Sequence, residues 1–130
     1  NIHTSTYIML NRAAFRSLGQ KLTRGDIVAL RDPRDPTRLL VKRVIGLPGD
    51  EVLCNPGDLS KTVEVKRGMM WIEGDNLDHS IDSRVFGPVP QGLVLGRADV
   101  VIWPQDQARF LFPRPDLTRV IIPNAETGRT

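Results

Sequence analysis

Leu39-Leu40-Val41-Lys42-Arg43-Val44-Ile45-Gly46-Leu47-Pro48-Gly49-Asp50 decides how the rest of the chain is read. Its first seven residues are aliphatic apart from two adjacent cations, and its last five are turn formers, which predicts a strand closed by a turn. Successive side chains on a strand point to opposite faces, so Lys42 shares a face with Leu40 and Val44, and Arg43 the other with Val41 and Ile45. A lysine among aliphatic neighbours loses hydration, which lowers its pKa by penalising the charged form. A neutral amine can serve as a general base; a guanidinium, which stays protonated, cannot. Taken on the strand alone, Lys42 reads more simply as a side chain snorkelling to water from a sheet edge. Other segments have to decide.

Working outward, Tyr7 to Leu10 predicts a first strand, Arg12 to Gln20 a short helix stopped at Gly19, and Ile27 to Leu30 a strand entered through Arg24-Gly25-Asp26. Pro33 and Pro36 predict a loop before the lysine strand. Beyond it, Glu51 to Leu53, Thr62 to Lys66 and Met69 to Glu73 read as strands, with a turn at Asn55-Pro56-Gly57-Asp58. Leu77 to Gly92 reads as irregular. Leu93 to Trp103 reads as strand, broken by Gly96 and ended by Pro104. The expected fold is mostly β with little helix: a core over residues 1–104 and a loosely attached, Pro-rich tail over 105–130 that holds one short strand, Arg119 to Ile122.

Composition agrees. In 130 residues, 40% are hydrophobic and 25% charged, ordinary for one globular domain, while ten prolines and eleven glycines favour short strands and turns. The 18 basic and 15 acidic residues give +3, but the signs interleave, as in Arg31-Asp32-Pro33-Arg34-Asp35. With 5% aromatic residues and no basic cluster, nucleic-acid binding is not expected. Cys54 is the lone cysteine, so neither an internal disulfide nor a structural zinc is expected. No metal or other cofactor is implied. Met69 to Ile72 and Val100 to Trp103 are strand-sized apolar runs, far below the roughly 20 residues of a membrane helix.

The second informative stretch is Gly74-Asp75-Asn76-Leu77-Asp78-His79-Ser80-Ile81-Asp82-Ser83-Arg84. Gly74, Asp75 and Asn76 supply turn geometry. Asp82 and Arg84 lie two apart, so an extended backbone lets them pair, in the bland case as a surface salt bridge of little worth. Ser80 offers a hydroxyl that can donate to a neutral amine or accept from an ammonium. A Ser80–His79–Asp82 triad is disfavoured, because adjacent extended residues diverge and known triads draw their members from separated segments.

Taken together, Arg24-Gly25-Asp26-Ile27-Val28, Lys42 to Asp50, and Gly74-Asp75-Asn76 with Ser80 to Arg84 resemble the type I signal peptidase family, over about Tyr7 to Pro104. Within it, Met70 to Asn76, His79 to Ser83, Phe86-Gly87-Pro88-Val89 and Val101 to Pro104 are most similar to the mitochondrial inner membrane branch, to its second subunit type more than its first. The resemblance implies a Ser/Lys endopeptidase with Lys42 as general base, Ser80 and Asp82 orienting its amine, and Arg43, Arg84, Asp75 and Asn76 supporting the site. Tyr7, Ile8, Met9, Leu40 and Val41 are candidate walls of the substrate pockets. It also implies a precursor polypeptide as substrate, a subunit 1 partner, a membrane anchor upstream, and a place on the mitochondrial inner membrane facing the intermembrane space. The family's Ser-Met-x-Pro block has no match here: Ser5 is followed by Thr6-Tyr7-Ile8. The nucleophile is expected upstream of Asn1, and these 130 residues alone are expected to be inactive. A non-catalytic module that stabilises a partner protease, and a bacterial-type signal peptidase, remain the alternatives.

Overall fold

The computed structural model describes residues 7–11, 22–74, 81–103, 109–110 and 113–122, with side chains for 22–74, 81–98 and 113–122. Ten strands account for most of them: β1 (Tyr7–Asn11), β2 (Ile27–Asp32), β3 (Asp35–Gly46), β4 (Glu51–Leu53), β5 (Thr62–Glu64), β6 (Met69–Glu73), β7 (Val89–Pro90), β8 (Val94–Trp103), β9 (Arg109–Phe110) and β10 (Val120–Ile121). One four-residue helix, α1 (Ser83–Phe86), and two single 3₁₀ turns join them. The mostly β expectation holds. The helix expected over Arg12 to Gln20 lies outside the described residues.

The large sheet runs β1-β8-β2-β3-β6-β7, with β9 added against β8, and every pairing is antiparallel. A second sheet, β10-β4-β5, is smaller. Each face of the large sheet carries its own apolar cluster. Val28, Leu30, Val44, Met70 and Ile72 form one, with Leu40 and Phe86 packed on it. Ile45 and Trp71 form the other with Val52, Val65 and Val120, residues in or beside the small sheet. The alternation in β3 and β6 is thus split between two cores, as strands covered on both faces require.

Four expectations need correction, the first being Leu77 to Gly92, which is not irregular throughout but holds α1 and β7. The loop from Pro33 to Pro36 is a two-residue turn, Pro33-Arg34, after which β3 resumes at Asp35 and continues through Pro36. Arg31 pairs with Leu39 and Asp32 with Asp35, so residues 36–38 bulge out of the ladder, where a residue without an N–H costs nothing. Gly96 does not break β8; it pairs with Ala29 beside a register shift. Residues 113–122 are not loosely attached: β10 pairs with β4, and Arg119 is buried.

Two of the recognisable turns lock one another. Arg24 donates Nε to Asp50 Oδ2 at 2.8 Å and Nη2 to Oδ1 at 2.7 Å, while Leu47 N–H donates to the same buried carboxylate at 2.9 Å. Gly25 between them has φ 90°, donates to Val44 O at 2.7 Å and accepts from Arg114 N–H at 3.1 Å. A Cβ at Gly25 would overlap the backbone of Arg114 and Pro115. Gly25→Ala is expected to cost about 2–3 kcal/mol, strain at positive φ adding to the clash. Urea unfolding checks this, and a midpoint equal to wild type would mean that the Arg114–Pro115 segment yields freely.

Candidate active site

Lys42 lies in β3 directly opposite Val28 of β2, between Leu40 and Val44 on the face of the first core. Its neighbours on that face, Val28, Leu30, Val44 and Ile72, are fully buried, and Lys42 is half-buried at their margin. Loss of hydration is the main influence on its amine and holds the pKa below the ordinary lysine value of 10.5. Asp82 acts in the opposite sense, Arg84 and Arg34 add to the lowering, and Asp32 opposes it more weakly.

Asp82 is fully buried, and the reason is local. It caps α1, with its own backbone extended at φ −150° and ψ −159°. Its Oδ2 accepts from Gly74 N–H at 2.8 Å and Arg84 Nη2 at 2.9 Å; its Oδ1 accepts from Arg84 N–H and Arg84 Nε, both at 3.1 Å. The pair whose bland reading is a surface salt bridge is therefore a buried carboxylate with a forked guanidinium, at the cap of α1. Ser83 next to it, buried, accepts from Ile72 N–H at 2.9 Å and fastens α1 to β6. That contact had no sequence signal beyond a serine just inside a capped turn.

Arg43 points the other way. Its Nη1 donates to Gly25 O at 2.9 Å, which supports the Arg24–Asp26 turn, and its register partner in β6 is Glu73. An open cleft of about 660 Å³ adjoins Arg43 on that face, lined also by Ile45, Glu73, Arg114 and Arg119; Lys42 is not in its lining. Leu40 shares the Lys42 face, whereas Val41 faces away, opposite Ala29. Tyr7, Ile8 and Met9 form β1, which β8 and β2 separate from β3. Ser80, Asp75 and Asn76 lie outside the described residues, so the contact anticipated between Lys42 and Ser80 does too.

Reading the sequence missed the hairpin tip. Asp32, buried, accepts from Arg34 N–H at 2.8 Å, and Arg34 also forks onto its carboxylate through Nε at 3.3 Å and Nη2 at 3.2 Å. The Arg34 guanidinium lies 5.4 Å from the centre of the Phe86 ring in α1. The available signal was the repeat of Asp-x-Arg at 32–34 and 82–84.

Among the described residues, no cluster of His, Cys, Asp and Glu is placed to hold a metal ion, and no helix is long and apolar enough to cross a membrane. The site as described is an amine on an apolar sheet face, with Asp82, capping α1, as the carboxylate that acts most strongly on it. Such an arrangement can move a proton.

Comparison with known proteins gives one consistent picture. A family model described as signal peptidase, peptidase S26, matches residues 1–61 and 55–103. Mitochondrial inner membrane protease subunit 1 of Homo sapiens is 46% identical over 97 residues, covering 73% of this chain and 58% of the human protein. Mitochondrial inner membrane protease subunit 2 of Danio rerio is 42% identical over 106 residues, covering 82% of this chain and 56% of that protein. Relatives of both subunit types thus match. The chain spans little more than half the length of these curated relatives. Among solved structures, a signal peptidase I from Enterococcus faecalis is similar with a TM-score of 0.52 and 28% identity, covering 60% of this chain and 97% of that one.

Proposed function

Because the chain belongs to the signal peptidase family, peptidase S26, we propose that it is the β-rich part of a Ser/Lys endopeptidase that removes sorting peptides from precursor proteins at the mitochondrial inner membrane. The observation that carries this reading is Lys42: a half-buried amine on an apolar sheet face, with burial depressing its pKa.

In the proposed reaction neutral Lys42 takes the proton from a serine hydroxyl as its oxygen attacks the scissile carbonyl. The tetrahedral intermediate collapses, the C–N bond breaks, and Lys42 returns the proton to the leaving amine. Lys42 then deprotonates the water that attacks the acyl ester, and as the ester C–O bond breaks it returns that proton to the serine oxygen. The serine is supplied by a part of the protein outside these 130 residues, a reading supported by the chain's coverage of only 58% of the human relative. Ser80 and Asp82 orient the amine. Arg84 holds Asp82, Arg43 braces the turn at Gly25, and Asp75 and Asn76 shape the turn after β6. Tyr7, Ile8, Met9, Leu40 and Val41 remain candidates for the surface over which an extended precursor lies as an added strand. The protein acts with a subunit 1 type partner, is held in the inner membrane by a segment outside this chain, and faces the intermembrane space; the subunit names of the relatives support the first point.

The test is the pH dependence of kcat/KM for the full-length protein with its partner subunit, on a peptide carrying a sorting sequence. Only the neutral amine is active, so kcat/KM should rise about tenfold per pH unit and level off at the amine's pKa in the free enzyme. The lowered pKa places that bend below 10.5. A profile with no acid limb between pH 5 and 9 (about the range in which a strongly depressed lysine titrates) would rule out an amine base. Tight partner binding without any cleavage would instead favour the non-catalytic module.

A further inference from the structure

The cleft of about 660 Å³ on the Arg43 face takes no part in the chemistry proposed for Lys42, yet its walls carry five charged side chains. Arg43, Arg114 and Arg119 supply three guanidinium groups, and Glu73 and Asp116 two carboxylates, so one positive charge is in excess. Both carboxylates are already engaged. Glu73 accepts from Arg119 Nη1 and Nη2 and from Trp71 Nε1, and Asp116 Oδ1 accepts from Thr118 N–H and Thr118 Oγ1. Arg119 is buried and fixed by its fork, while its Nε has no acceptor, so its charge is only partly answered. The Arg114 side chain is exposed and makes no hydrogen bond or ion pair among the described residues, although its backbone is pinned through Arg114 N–H to Gly25 O at 3.1 Å. We propose that this cleft is the docking site for a partner subunit of the subunit 1 type, which places one carboxylate side chain against Arg114.

The proposal rests on the reading that the protein works with such a partner, and charge, position and surface select that occupant. A single carboxylate balances the excess of one positive charge and matches the planar fork of a guanidinium, whereas a phosphate dianion would overshoot it. Lys42 and Arg43 are consecutive in β3 and point to opposite faces, and Lys42 is absent from the lining. A scissile peptide held at Lys42 therefore does not fill this cleft, and a partner seated here leaves the Lys42 face open to substrate. The wall formed by the segment from Arg114 to Arg119 is apolar at its rim. Leu117, between Asp116 and Thr118, is 56% exposed, and Ile121, two residues beyond Arg119, is 48% exposed. Large apolar side chains left in water beside arginines suit the face of a protein interface better than the lining of a small-metabolite pocket. Ile121 also belongs to β10, the outer strand of the small sheet, which pairs on one side only among the described residues and so offers main-chain groups to an added segment.

The test titrates the full-length protein with its full-length partner subunit in detergent, at about 50 mM and about 500 mM salt, for wild type, Arg114→Ala, Arg114→Glu, Arg114→Lys and Leu117→Ser, with urea unfolding of each. Unfolding midpoints should stay at wild type, since both side chains are exposed. Arg114→Ala should weaken binding about tenfold and Arg114→Glu about a hundredfold at the lower salt, and the Arg114→Glu deficit should shrink at the higher salt, where a charge contact at an interface rim is screened. Arg114→Lys, which keeps the charge and loses the fork, should recover part of the loss. Leu117→Ser should weaken binding about threefold or more at both salts, because an apolar contact is not screened. Arg114→Glu that binds the partner as tightly as wild type at the lower salt would overturn the proposal while the partner reading stands. A wild-type protein that does not bind the partner subunit would overturn the partner reading and the proposal with it.

Discussion

Lys42→Met in the full-length protein is expected to reduce turnover by about 10,000-fold or more while leaving the fold intact, the scale seen when a general base is removed from a hydrolase. Methionine matches the length of the aliphatic stem and suits the neighbours on that face, Leu40, Val44 and Val28. Stability should not fall. Above pH 10.5 the amine is neutral in folded and unfolded chains alike and has no net effect. Below 10.5 the unfolded chain takes up a proton that the folded chain resists, because burial lowers the folded pKa. At neutral pH the native lysine is therefore a burden on folding, and methionine removes it. Lys42→Arg separates the two explanations for any loss. Arginine keeps a cation at the position but cannot give up its proton, so it should be as inactive as methionine if Lys42 is a base. Arginine activity within about tenfold of wild type would show an electrostatic role instead and would sink the Ser/Lys reading.

The strands that position Lys42 were legible because their side chains obey one local rule. In β3 and β6 the alternation of apolar residues sorts Val44, Met70 and Ile72 from Ile45 and Trp71, and the two sets fill separate cores. Prolines and glycines were harder to read, since their effect depends on the neighbouring strand. Pro36 is absorbed by a bulge opposite Arg31, and Gly96 sits beside a register shift against β2; neither ends its strand. At the site, the burial of Asp82 was invisible because it arises from a cap and a backbone N–H eight residues earlier, Gly74, rather than from any run of apolar residues. Interleaved charges at 31–35 were read only as the absence of a patch. The same residues, at a spacing of two with a turn between, make a forked pair. The match of sequence blocks to a family told more about chemistry than the strand pattern did, because an aliphatic strand with one lysine has a simpler surface reading.

Removing Arg119 should be the most damaging single change to stability among the described side chains, and its effect should reach the site. Arg119 is 4% exposed and Glu73 2% exposed. Arg119 donates Nη1 to Glu73 Oε1 and Nη2 to Oε2, both at 2.7 Å, and Nη2 also to Leu53 O at 2.6 Å; Trp71 Nε1 donates to Glu73 Oε2 at 2.8 Å. The pair spans 46 residues of chain and ties the segment before β10 to the end of β6. Arg119→Met leaves a carboxylate buried with one indole donor and strips Leu53 O of that guanidinium, so a loss of about 3–5 kcal/mol is expected in urea unfolding. The asymmetry is the test. The double variant Arg119→Met with Glu73→Leu removes both charges and should recover most of the loss, to within about 1–2 kcal/mol of wild type, because a buried ion pair costs more to break than to replace. A single variant that loses less than about 1 kcal/mol would mean that Glu73 is hydrated from the cleft beside Arg43, where such a pair contributes little. Glu73 directly precedes Gly74, whose N–H holds Asp82, so loosening the end of β6 also loosens the carboxylate that borders Lys42. Arg119→Met should therefore lower kcat at temperatures where the protein is still folded, although Arg119 lies on the opposite side of the sheet from the amine.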